Sequence, residues 1–470
     1  MPPELDLIAV DRGSITAPAG CGKTHLIADT LAEHVGPKPV LVLTHTNAGA
    51  AALRQRMRNA GVASSAFRVS TIDGFAMRLI TLFPMRSAID PRVLEIGDPR
   101  NDYPAIRAAA LALLHAGHLS TVLRATYARV IVDEYQDCNL VQHGIVDALA
   151  NDLPTVVLGD PMQAIFGFAG NRLVNWARDV ATRFLPIGEL ETPWRWINAG
   201  TEELGRWLLC ARAELQAGRN VDLRTGVAGL EWIQLDPANL EGGRRTAAHT
   251  RLQNSEETVL IIGDARNPRG RHQFTSQTRG ATSVETVDLG DLTSFARRFD
   301  LTRVDALEQL VNFAGDVMTG VGAAAFLSRI KSIQHGRARN PPTAAEEAAL
   351  TFAERPSLGA AFRVLQQLEE QPGARVFRPE MLHYCRSAMR TVTDGSTLLA
   401  AVLQARERNR HHGRPVSRKA VGSTLLLKGL EADVAVILQP EQMDACNLYV
   451  ALTRGAKRVL VCSERSVLRP

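Results

Sequence analysis

The sequence predicts an α/β fold built from two lobes, each with a parallel sheet. The main observation is that short β-branched runs alternate with segments of helical periodicity, a pattern typical of βαβ units. Most of these runs end in a polar residue, as strands do at the edge where an open α/β sheet binds its ligand. The length of 470 residues exceeds that of an average single domain and favours more than one lobe.

Five strands are predicted in the first lobe, which is expected to cover residues 1–185. They lie at residues 14–17, 40–44, 68–71, 130–133 and 155–160. Helical patterns separate them. This alternation predicts one parallel sheet with helices packed on it.

A second lobe is predicted because the same alternation returns later in the chain. Its strands are expected at residues 232–235, 258–262, 283–287, 420–424, 433–438 and 458–462. Between the third and fourth of these, helical periodicity continues with almost no strand signal. We therefore expect the second lobe to cover residues 186–293 and 416–470, with a helical insertion at 294–415.

Composition excludes several classes of protein. Hydrophobic residues make up 45% and charged residues 22% of the chain, which is neither a disordered nor a fibrous composition. Lysine and arginine (54) slightly exceed aspartate and glutamate (49), a mild preference for polyanions. The six cysteines form no C-x-x-C pair, which speaks against a zinc site or disulfide framework. With no long apolar run, the sequence predicts a soluble cytoplasmic protein without a membrane span.

An eight-residue motif joins the first predicted strand to a helix. It consists of Ala17, Pro18, Ala19, Gly20, Cys21, Gly22, Lys23 and Thr24. This strand-to-helix context is the one that a phosphate-binding P-loop requires. Backbone N–H groups there favour phosphate oxygens, Lys23 neutralises the outer phosphates, and the Thr24 hydroxyl can hold Mg²⁺. The alternative is a glycine-rich turn with a solvated lysine.

Two adjacent carboxylates, Asp133 and Glu134, follow the apolar run 130–132. Asp133 is suited to complete a magnesium shell, and Glu134 to orient or deprotonate an attacking water. An Asp-Glu pair after a strand is also common as a helix cap. Because the P-loop motif and the carboxylates occur together, nucleotide hydrolysis is the leading hypothesis.

Four motifs then occur in an order that resembles the UvrD/Rep family of superfamily 1 DNA helicases. They are DEYQD at 133–137, GDPMQAIF at 159–166, KGLE at 428–431 and YVALTR at 449–454. The resemblance covers most of residues 13–200 and 420–465. It implies two RecA-like lobes with ATP and Mg²⁺ between them, and a reduced insertion in each lobe, in the first at about residues 84–127.

The resemblance also implies roles around the triphosphate. Gln163 would sense the γ-phosphate and the attacking water, and Arg195 and Arg454 would reach that phosphate from the second lobe. Such an arginine is typically worth about 10³ to 10⁵ in rate. The alternative for Arg195 is a surface ion pair with Glu191.

Two further nucleotide contacts are implied beside the phosphates. Trp194 stands where the family has a tyrosine that stacks on the base, and Glu431, with Gly429 in the same motif, where it has a carboxylate near the ribose. The alternative for Trp194 is a core aromatic.

DNA contacts are implied for residues in three short segments. They are Thr44, His45, Asn47, Thr71, Phe75, Phe166 and Phe168. Family members grip single-stranded DNA through backbone contacts at threonines and through aromatic stacking. Phe168 is the stacking candidate, and its alternative is a core phenylalanine. Arginine clusters, one of them at Arg266, Arg269, Arg271 and Arg279, either follow a sugar-phosphate backbone or form a solvated face.

The sequence departs from the family at several places. No glutamine precedes the P-loop to read adenine, so base selectivity is open. His45 replaces a DNA-stacking phenylalanine, Asp73 replaces a histidine, and Ala169 replaces an arginine that couples the lobes.

Two functions of different classes follow from these observations. The first is an ATP-dependent motor on single-stranded DNA, moving 3′ to 5′ by family analogy, with or without unwinding. The second is a DNA-end-sensing NTPase that activates a separate nuclease subunit, since small helicases of this shape resemble the helicase component of two-gene antiphage systems such as Gabija.

Overall fold

The computed structural model describes residues 5–167, 171–250, 254, 256–392, 397–409 and 417–469, without the side chains of 407–409. Its contacts divide the chain into two compact units. The first unit comprises Met1–Glu231, Pro440–Val459 and Arg465–Pro470, and the second comprises Trp232–Gln439 and Leu460–Glu464. These divisions differ from the predicted lobe boundaries, which remain predictions.

The strands occur close to where the β-branched runs predicted them, with some additions. They are β1 (Arg12–Thr16), β2 (Val40–Thr44), β3 (Phe67–Thr71), β4 (Val130–Val132), β5 (Thr155–Gly159), β6 (Pro186–Glu189), β7 (Val221–Asp222), β8 (Leu230–Gln234), β9 (Val259–Ile262), β10 (Thr282–Ser283), β11 (Met318–Thr319), β12 (Arg375–Val376), β13 (Lys419–Gly422), β14 (Ala432–Ile437), β15 (Gly455–Ser463) and β16 (Val467–Leu468).

The α-helices lie between these strands and fill the predicted insertions. They are α1 (Lys23–Ala32), α2 (Asn47–Asn59), α3 (Ile72–Leu82), α4 (Pro84–Ser87), α5 (Pro99–His115), α6 (Ser120–Thr126), α7 (Leu140–Leu149), α8 (Trp194–Ala199), α9 (Glu202–Gln216), α10 (Leu240–Ala248), α11 (Pro268–Gln277), α12 (Gly290–Arg298), α13 (Ala306–Val317), α14 (Ala323–Gln334), α15 (Ala344–Glu354), α16 (Leu358–Glu369), α17 (Pro379–Thr391), α18 (Leu398–Asn409), α19 (Thr424–Leu427) and α20 (Ala445–Leu452).

The first unit contains a six-stranded sheet in the order β3-β2-β4-β5-β1-β6. Its neighbouring strands all pair in parallel. Because β5 lies between β1 and β4, the segments that follow these three strands meet at one edge of the sheet. Parallel strands bring their carboxyl ends together in this way, and that edge is where such sheets bind ligands.

Both faces of this sheet are covered by helices. Val40 and Val42 of β2 pack with α1 on one face, whereas Leu41 and Leu43 pack with α3, α5 and α7 on the other. Successive side chains of a strand point to opposite faces, so a strand buried on both sides is apolar throughout. The run 40–43 is therefore hydrophobic at every position.

A second six-stranded sheet has the order β10-β13-β9-β14-β15-β8, and its strands β9, β10, β13 and β14 lie entirely in the second unit. The pairings of β13 with β10 and of β9 with β13 and β14 are parallel. The described part of the segment from α12 to α18 is mainly helical, apart from loops and the short strands β11 and β12. It packs around a separate core that includes Leu310, Phe352 and Leu365. The predicted fold class, α/β with two parallel-sheet lobes and a helical insertion in each, is confirmed.

The length and hydropathy of a helix decide whether it could cross a membrane. Among the described residues, no single helix is long and apolar enough to cross a membrane. The pair Pro99–His115 and Ser120–Thr126 reaches that length and hydropathy only when taken together, and the two helices are bent by 96°.

Candidate nucleotide site and nucleic-acid contacts

The predicted P-loop lies between β1 and α1, where two glycines turn the chain. Gly20 and Gly22 have φ angles of 72° and 86°, a left-handed conformation that side chains other than glycine rarely adopt. Space is also limited: a Cβ on Gly20 would lie 2.5 Å from Cζ3 of Trp196, and one on Gly22 would lie 3.0 Å from Cδ1 of Trp194. These positions therefore require glycine.

The N-terminus of α1 is arranged as an anion site. Gly22 is its N-cap residue, and no side chain of the described residues caps the helix there. The N–H groups of a first turn have no partner within their own helix, and the helix dipole adds positive potential. A phosphate group at this point would accept hydrogen bonds from that turn.

Lys23 joins the predicted P-loop to the paired carboxylates. Its Nζ lies 3.1 Å from Oδ1 of Asp133 and 2.6 Å from Oε1 of Glu134. Burial alone would lower the pKa of Lys23, but the two carboxylates outweigh burial and raise that pKa above its ordinary value. Burial and the neighbouring Glu134 raise the pKa of Asp133, although Lys23 opposes this. The cluster therefore holds a largely buried lysine that stays charged.

Glu134 has an unusual backbone conformation for a residue with a side chain. Its φ angle is 55°, a region in which strain is typical of functional sites. Its carboxylate Oε2 accepts a hydrogen bond of 2.6 Å from Nε2 of Gln136. In turn, Oε1 of Gln136 accepts from the backbone N–H of Asp160 at 3.0 Å. Gln136 therefore joins the segments that follow β4 and β5.

Asp160 is fully buried and organises the segment that contains Gln163. Its Oδ2 accepts from Nε2 of Gln163 at 3.0 Å. Its Oδ1 accepts from Nε and Nη2 of Arg212 at 3.1 and 2.9 Å, and Nη1 of Arg212 donates to Glu189 at 2.9 Å. Arg212, on α9, thus positions the carboxylate that orients Gln163.

Removing Arg212 should destabilise the first unit. Arg212→Met leaves the buried Asp160 charge without its partner, and such a change typically costs about 3 to 5 kcal/mol. The measurement is the apparent free energy of unfolding in urea. The matched control is Arg219→Met, because Arg219 pairs with Glu214 on the surface and its loss should have little effect. Equal losses from the two variants would contradict a structural role for the buried pair.

Arg195 and Arg454 both lie in the first unit, and Thr453 connects them. The backbone N–H of Arg195 donates to the carbonyl oxygen of Gly20 at 3.1 Å, and its Nη1 donates to the carbonyl oxygen of Thr453 at 2.6 Å. Nη2 of Arg454 donates to Oγ1 of Thr453 at 3.1 Å. The two arginines that the motifs implied are thus close together beside the glycine turn, and contact of either with a phosphate remains a prediction.

Tyr449 and Trp196 connect the segment at 449–455 to the predicted P-loop and to α8. The hydroxyl of Tyr449 accepts from the backbone N–H of Ala19 at 3.1 Å. Nε1 of Trp196 donates to the carbonyl oxygen of Gly455 at 2.9 Å, and the indole is fully buried. These two aromatic side chains therefore hold the glycine turn against the segment at 449–455.

Trp194 and the KGLE motif have different surroundings. The indole of Trp194 lies against Gly22 and is half-buried, which leaves part of its surface for a ligand. Gly429 and Glu431 lie in the second unit, between α19 and β14, where Gly429 has a φ of 81° and Glu431 is exposed. Their predicted contacts with the base and ribose remain predictions.

The residues present fit a nucleotide with its magnesium ion. Gly20 and Gly22 form a turn that a Cβ would fill, α1 begins without a side-chain cap, and Asp133 is a buried carboxylate oxygen donor. Magnesium prefers oxygen ligands and usually keeps several waters, so Thr24 and Asp133 with a phosphate would suffice. In the described part of the chain, no group of three or more His, Cys, Asp or Glu side chains could hold a metal by itself.

The predicted DNA-contact residues lie after β2, β3 and β5. Thr44 ends β2 and is fully buried, and Asn47 begins α2 with an exposed side chain. Thr71 caps α3, because its Oγ1 accepts from the N–H of Gly74 at 2.9 Å. Thr44 and Thr71 therefore lie at the carboxyl ends of β2 and β3, where Thr71 also caps a helix. Their backbone contacts with DNA remain predictions.

The predicted DNA contact of Phe75 is not supported, whereas His45 and Phe166 form an aromatic pair. Phe75 is only 2% exposed and packs edge-to-face on Tyr127 in the core, so it has no face available for DNA and the predicted contact is wrong. The rings of His45 and Phe166 lie 5.4 Å apart with an interplanar angle of 47°, and both side chains are half-buried. Phe168, together with Ala169, lies outside the described residues.

Asp73, which replaces the family's histidine, is engaged within the first unit. Its carboxylate accepts from Nε and Nη2 of Arg107 at 2.7 and 2.6 Å and from Nε2 of Gln142 at 2.9 Å. Gln142 also completes the capping box of α7 with Asn139. Asp73 therefore links α3 to α5, in the reduced insertion, and to α7.

Four residues that position the site were not predicted from the sequence. They are Trp196, Arg212, Tyr449 and Thr453. Tyr449 and Thr453 belong to the motif at 449–454, so their neighbourhood was available as a signal. Arg212 lies on a helix whose sequence carries no motif, and only the fold shows that it reaches Asp160.

Known helicases resemble parts of this chain. A family model described as the UvrD/REP helicase N-terminal domain matches residues 11–100 and 98–179. An ATP-dependent helicase/nuclease subunit from Leuconostoc mesenteroides subsp. mesenteroides is 31% identical over 67 residues, which are 14% of this chain and 5% of that protein. The chain thus matches a small part of that relative's length. The crystal structure of Pif1 helicase from Candida albicans aligns with 97% of this chain and 92% of its own, with 10% identity and a TM-score of 0.41.

The fold and the site together define the general class of protein. A parallel sheet with a glycine turn after β1 and paired carboxylates after β4 is the architecture of an α/β nucleotide-binding protein. The family model of the UvrD/REP helicase N-terminal domain matches residues 11–179, which is less than half of the chain, and this match agrees with the nucleotide-binding architecture of the first unit. The chain's likeness to the Gabija-type component remains a prediction.

Proposed function

We propose that this protein is an ATP-dependent motor on single-stranded DNA, moving 3′ to 5′ by analogy with its family. The observation that carries the proposal is the ion-paired cluster of Lys23, Glu134 and the buried Asp133 beside the N-terminus of α1, which no side chain of the described residues caps. A charged lysine, two carboxylates and free backbone donors are the groups that phosphoryl transfer requires. We place this activity in the cytoplasm.

The cluster gives each side chain a role once ATP is bound. ATP with Mg²⁺ supplies the phosphoryl group and the charge that polarises it. Lys23 would exchange its carboxylate partners for the outer phosphates, and Asp133 and Thr24 would hold the metal ion. Glu134, released from Lys23, accepts the proton of the attacking water. Gln163, held by Asp160, orients that water.

A path of hydrogen bonds supports coupling between this site and the DNA segments. The carboxylate segment leads directly into α7, whose N-cap is Asn139 and whose Gln142 donates to Asp73. Asp73 lies in the first turn of α3, two residues after Thr71. A displacement of the segment at 133–138 is therefore transmitted to a predicted DNA contact through directly bonded groups.

The His45 and Phe166 pair supports the DNA side of the proposal. Its half-buried rings at the edge of the sheet suit stacking of a base. Phe166→Ala should weaken binding of single-stranded DNA by about 5- to 150-fold, because stacking on one aromatic ring is worth roughly 1 to 3 kcal/mol per base. The measurement is fluorescence anisotropy with a labelled oligothymidine.

The control for Phe166→Ala is Phe83→Ala. Phe83 is also half-buried in the first unit, but it packs against the core of that unit. Its replacement should leave DNA affinity unchanged. An unaltered affinity in Phe166→Ala would exclude this pair as the stacking platform.

The function itself is tested by hydrolysis and unwinding assays. We expect hydrolysis of ATP that single-stranded DNA stimulates, and unwinding of a 3′-tailed but not a 5′-tailed duplex. Assays with all four nucleoside triphosphates determine base preference, which the sequence leaves open. Lys23→Ala, which should bind DNA but not hydrolyse ATP, is the control for contaminating enzymes.

The second candidate is a DNA-end-sensing NTPase subunit that activates a separate nuclease. It is favoured by the small size of the first unit's insertion, where only α4, α5 and α6 lie as α-helices between α3 and β4, a stretch that is described throughout. That leaves little structure for separating strands. DNA-stimulated hydrolysis without unwinding, together with a nuclease that copurifies with the protein, would favour this candidate over the motor.

A further inference from the structure

The left-handed conformation of Glu134 requires a fixed neighbour on each side. Its φ and ψ angles are 55° and 40°, and a residue with a side chain keeps such a conformation only where the surrounding structure enforces it. On the strand side, the backbone N–H of Asp133 donates to the carbonyl oxygen of Leu43 at 2.8 Å. On the other side the chain continues into Tyr135. The anchoring of Tyr135 therefore decides whether Glu134 keeps its conformation.

Tyr135 is anchored by both its ring and its hydroxyl. The residue is fully buried, and its ring packs edge-to-face on Phe184 with the centroids 5.8 Å apart. The hydroxyl lies 2.7 Å from Nδ1 of the half-buried His143. The ring of His143 also packs edge-to-face on the other two rings, at 5.9 and 6.2 Å. The three side chains form one aromatic cluster with a hydrogen bond inside it.

The hydroxyl of Tyr135 is the donor in this hydrogen bond. A tyrosine hydroxyl keeps its proton at neutral pH. Burial lowers the pKa of His143, although Asp147 and Asp179 oppose this, so the imidazole is neutral and can accept. A neutral imidazole carries one proton, and we assign it to Nε2 because Nδ1 faces the tyrosine.

His143 belongs to a helix whose position is fixed independently of the nucleotide site. It lies on α7, which packs its buried face into the core of the first unit. One turn further along α7, Asp147 accepts from Nε and Nη2 of Arg183 at 2.9 and 2.7 Å, and Arg183 immediately precedes Phe184. The hydrogen-bond acceptor and the packing partner of Tyr135 are thus held to each other by an ion pair.

We propose that His143 is a positioning residue for Glu134 and acts through its hydrogen bond with Tyr135. The proposal rests on the proposed function, in which Glu134 accepts the proton of the attacking water, and deepens it by naming the side chain that fixes the direction of that carboxylate. His143 does not contact the reacting atoms in this role. Anchoring of Tyr135 keeps Glu134 in the conformation that directs its carboxylate to Lys23, 2.6 Å away.

The alternative is that the aromatic cluster only stabilises the core. Buried hydroxyl groups are normally hydrogen-bonded, whatever chemistry occurs nearby. A core role predicts lower stability with unchanged turnover when the bond is lost. A positioning role predicts lower turnover with ATP affinity retained, because a misplacement of about 1 Å can cost about 100-fold in rate.

The first test removes the hydrogen bond from either side. Tyr135→Phe deletes the hydroxyl, and His143→Phe deletes the acceptor but keeps a ring against Phe184. We expect each variant to lower kcat for ATP hydrolysis by about 10- to 100-fold and to keep the Kd for ATP within a few-fold of the wild type. The double variant should be no slower than the slower single variant, because the two side chains act as one unit. Losses that multiply in the double variant would overturn the proposal.

His143→Asn is the conservative variant. Oδ1 of asparagine is bonded to Cγ, as Nδ1 of histidine is, so it can still accept from the hydroxyl of Tyr135. We expect it to recover most of the rate that His143→Phe loses. If it were no faster than His143→Phe, the accepting atom would be irrelevant and the proposal would be wrong.

The control for a purely structural effect is Thr155→Val. It removes another fully buried hydroxyl of the first unit, which donates to the carbonyl oxygen of Leu153 at 2.9 Å. Thr155 begins β5, at the end of that strand opposite to Asp160. The control should lower the midpoint of thermal unfolding as Tyr135→Phe does and leave kcat unchanged. If Tyr135→Phe behaves in the same way, with a lower midpoint and the kcat of the wild type, the cluster has a core role alone.

Hydrogen exchange reports the position of Glu134 without any chemistry. The backbone N–H groups of Asp137 and Cys138 donate to the carbonyl oxygens of Glu134 and Tyr135, each at 3.1 Å. These hydrogen bonds close the turn that Glu134 begins. Their exchange rates therefore measure how firmly the turn is held.

We expect faster exchange at residues 134–138 in Tyr135→Phe and His143→Phe, and wild-type exchange there in Thr155→Val. Unchanged exchange in both ring variants would contradict the proposal. If the wild type hydrolyses no ATP, the proposed function fails, while the exchange rates still test whether His143 fixes this turn.

Discussion

Arg195→Ala should lower the rate of ATP hydrolysis by about 10³- to 10⁵-fold, the usual effect of an arginine that stabilises the transferred phosphoryl group. The position of Arg195 beside the glycine turn is compatible with this role in stabilising the phosphoryl group. Its backbone N–H is bonded to Gly20 in the glycine turn. Its guanidinium lies 5.2 Å from the centre of the Trp196 ring and donates to Thr453. Single-turnover hydrolysis with saturating ATP measures the effect directly.

ATP affinity separates this role from a merely structural one. An interaction made only in the transition state lowers kcat and leaves ground-state binding nearly unchanged. We therefore expect Arg195→Ala to bind ATP within a few-fold of the wild type. Arg195→Lys should recover little, because lysine lacks the planar fork. A large loss of ATP affinity with unchanged turnover would contradict the assignment, and Arg206→Ala, an exposed arginine paired with Glu202, is the control.

Most of the fold could be predicted because its strands are buried on both faces. Runs such as 40–43 and 156–158 are apolar throughout, so the pattern is unambiguous, and β2 begins and ends as predicted. The strand β6 was missed because Pro-Ile-Gly-Glu contains a single large apolar residue. Its pairing with β1 depends on the fold rather than on its own composition.

The candidate site was predictable where chemistry depends on a local motif. Lys23, Asp133 and Glu134 were named from the sequence, and the structure brings Nζ of the lysine within 3.1 Å of both carboxylates. The partners that hold the site are distant in sequence and have no motif of their own: Arg212 reaches Asp160 across 52 residues. Phe75 illustrates the opposite error, because family position suggested DNA contact whereas helical packing buries the ring.

Glu134→Gln should lower ATP hydrolysis by about 10²- to 10⁴-fold, the usual contribution of a general base. Glutamine preserves the size of the side chain and can still accept a hydrogen bond from Gln136 at the position of Oε2. It cannot accept the proton of water. Lys23 keeps its contact with Asp133, so the folded site should persist. Steady-state release of phosphate measures the rate, and thermal unfolding verifies the fold.

Asp133→Asn provides the contrast that identifies which carboxylate is the base. Asp133 is buried and follows β4, where its backbone N–H donates to Leu43, so its proposed work is to hold Mg²⁺ rather than to move a proton. Its replacement should therefore weaken binding of Mg²⁺ and ATP, and added Mg²⁺ should restore part of the rate. Glu134→Gln should retain ATP affinity and gain nothing from added Mg²⁺, because the metal cannot substitute for the missing proton acceptor. If Glu134→Gln hydrolyses ATP at the wild-type rate, another group must accept the proton, and Glu134 would then serve only as a structural partner of Lys23 and Gln136.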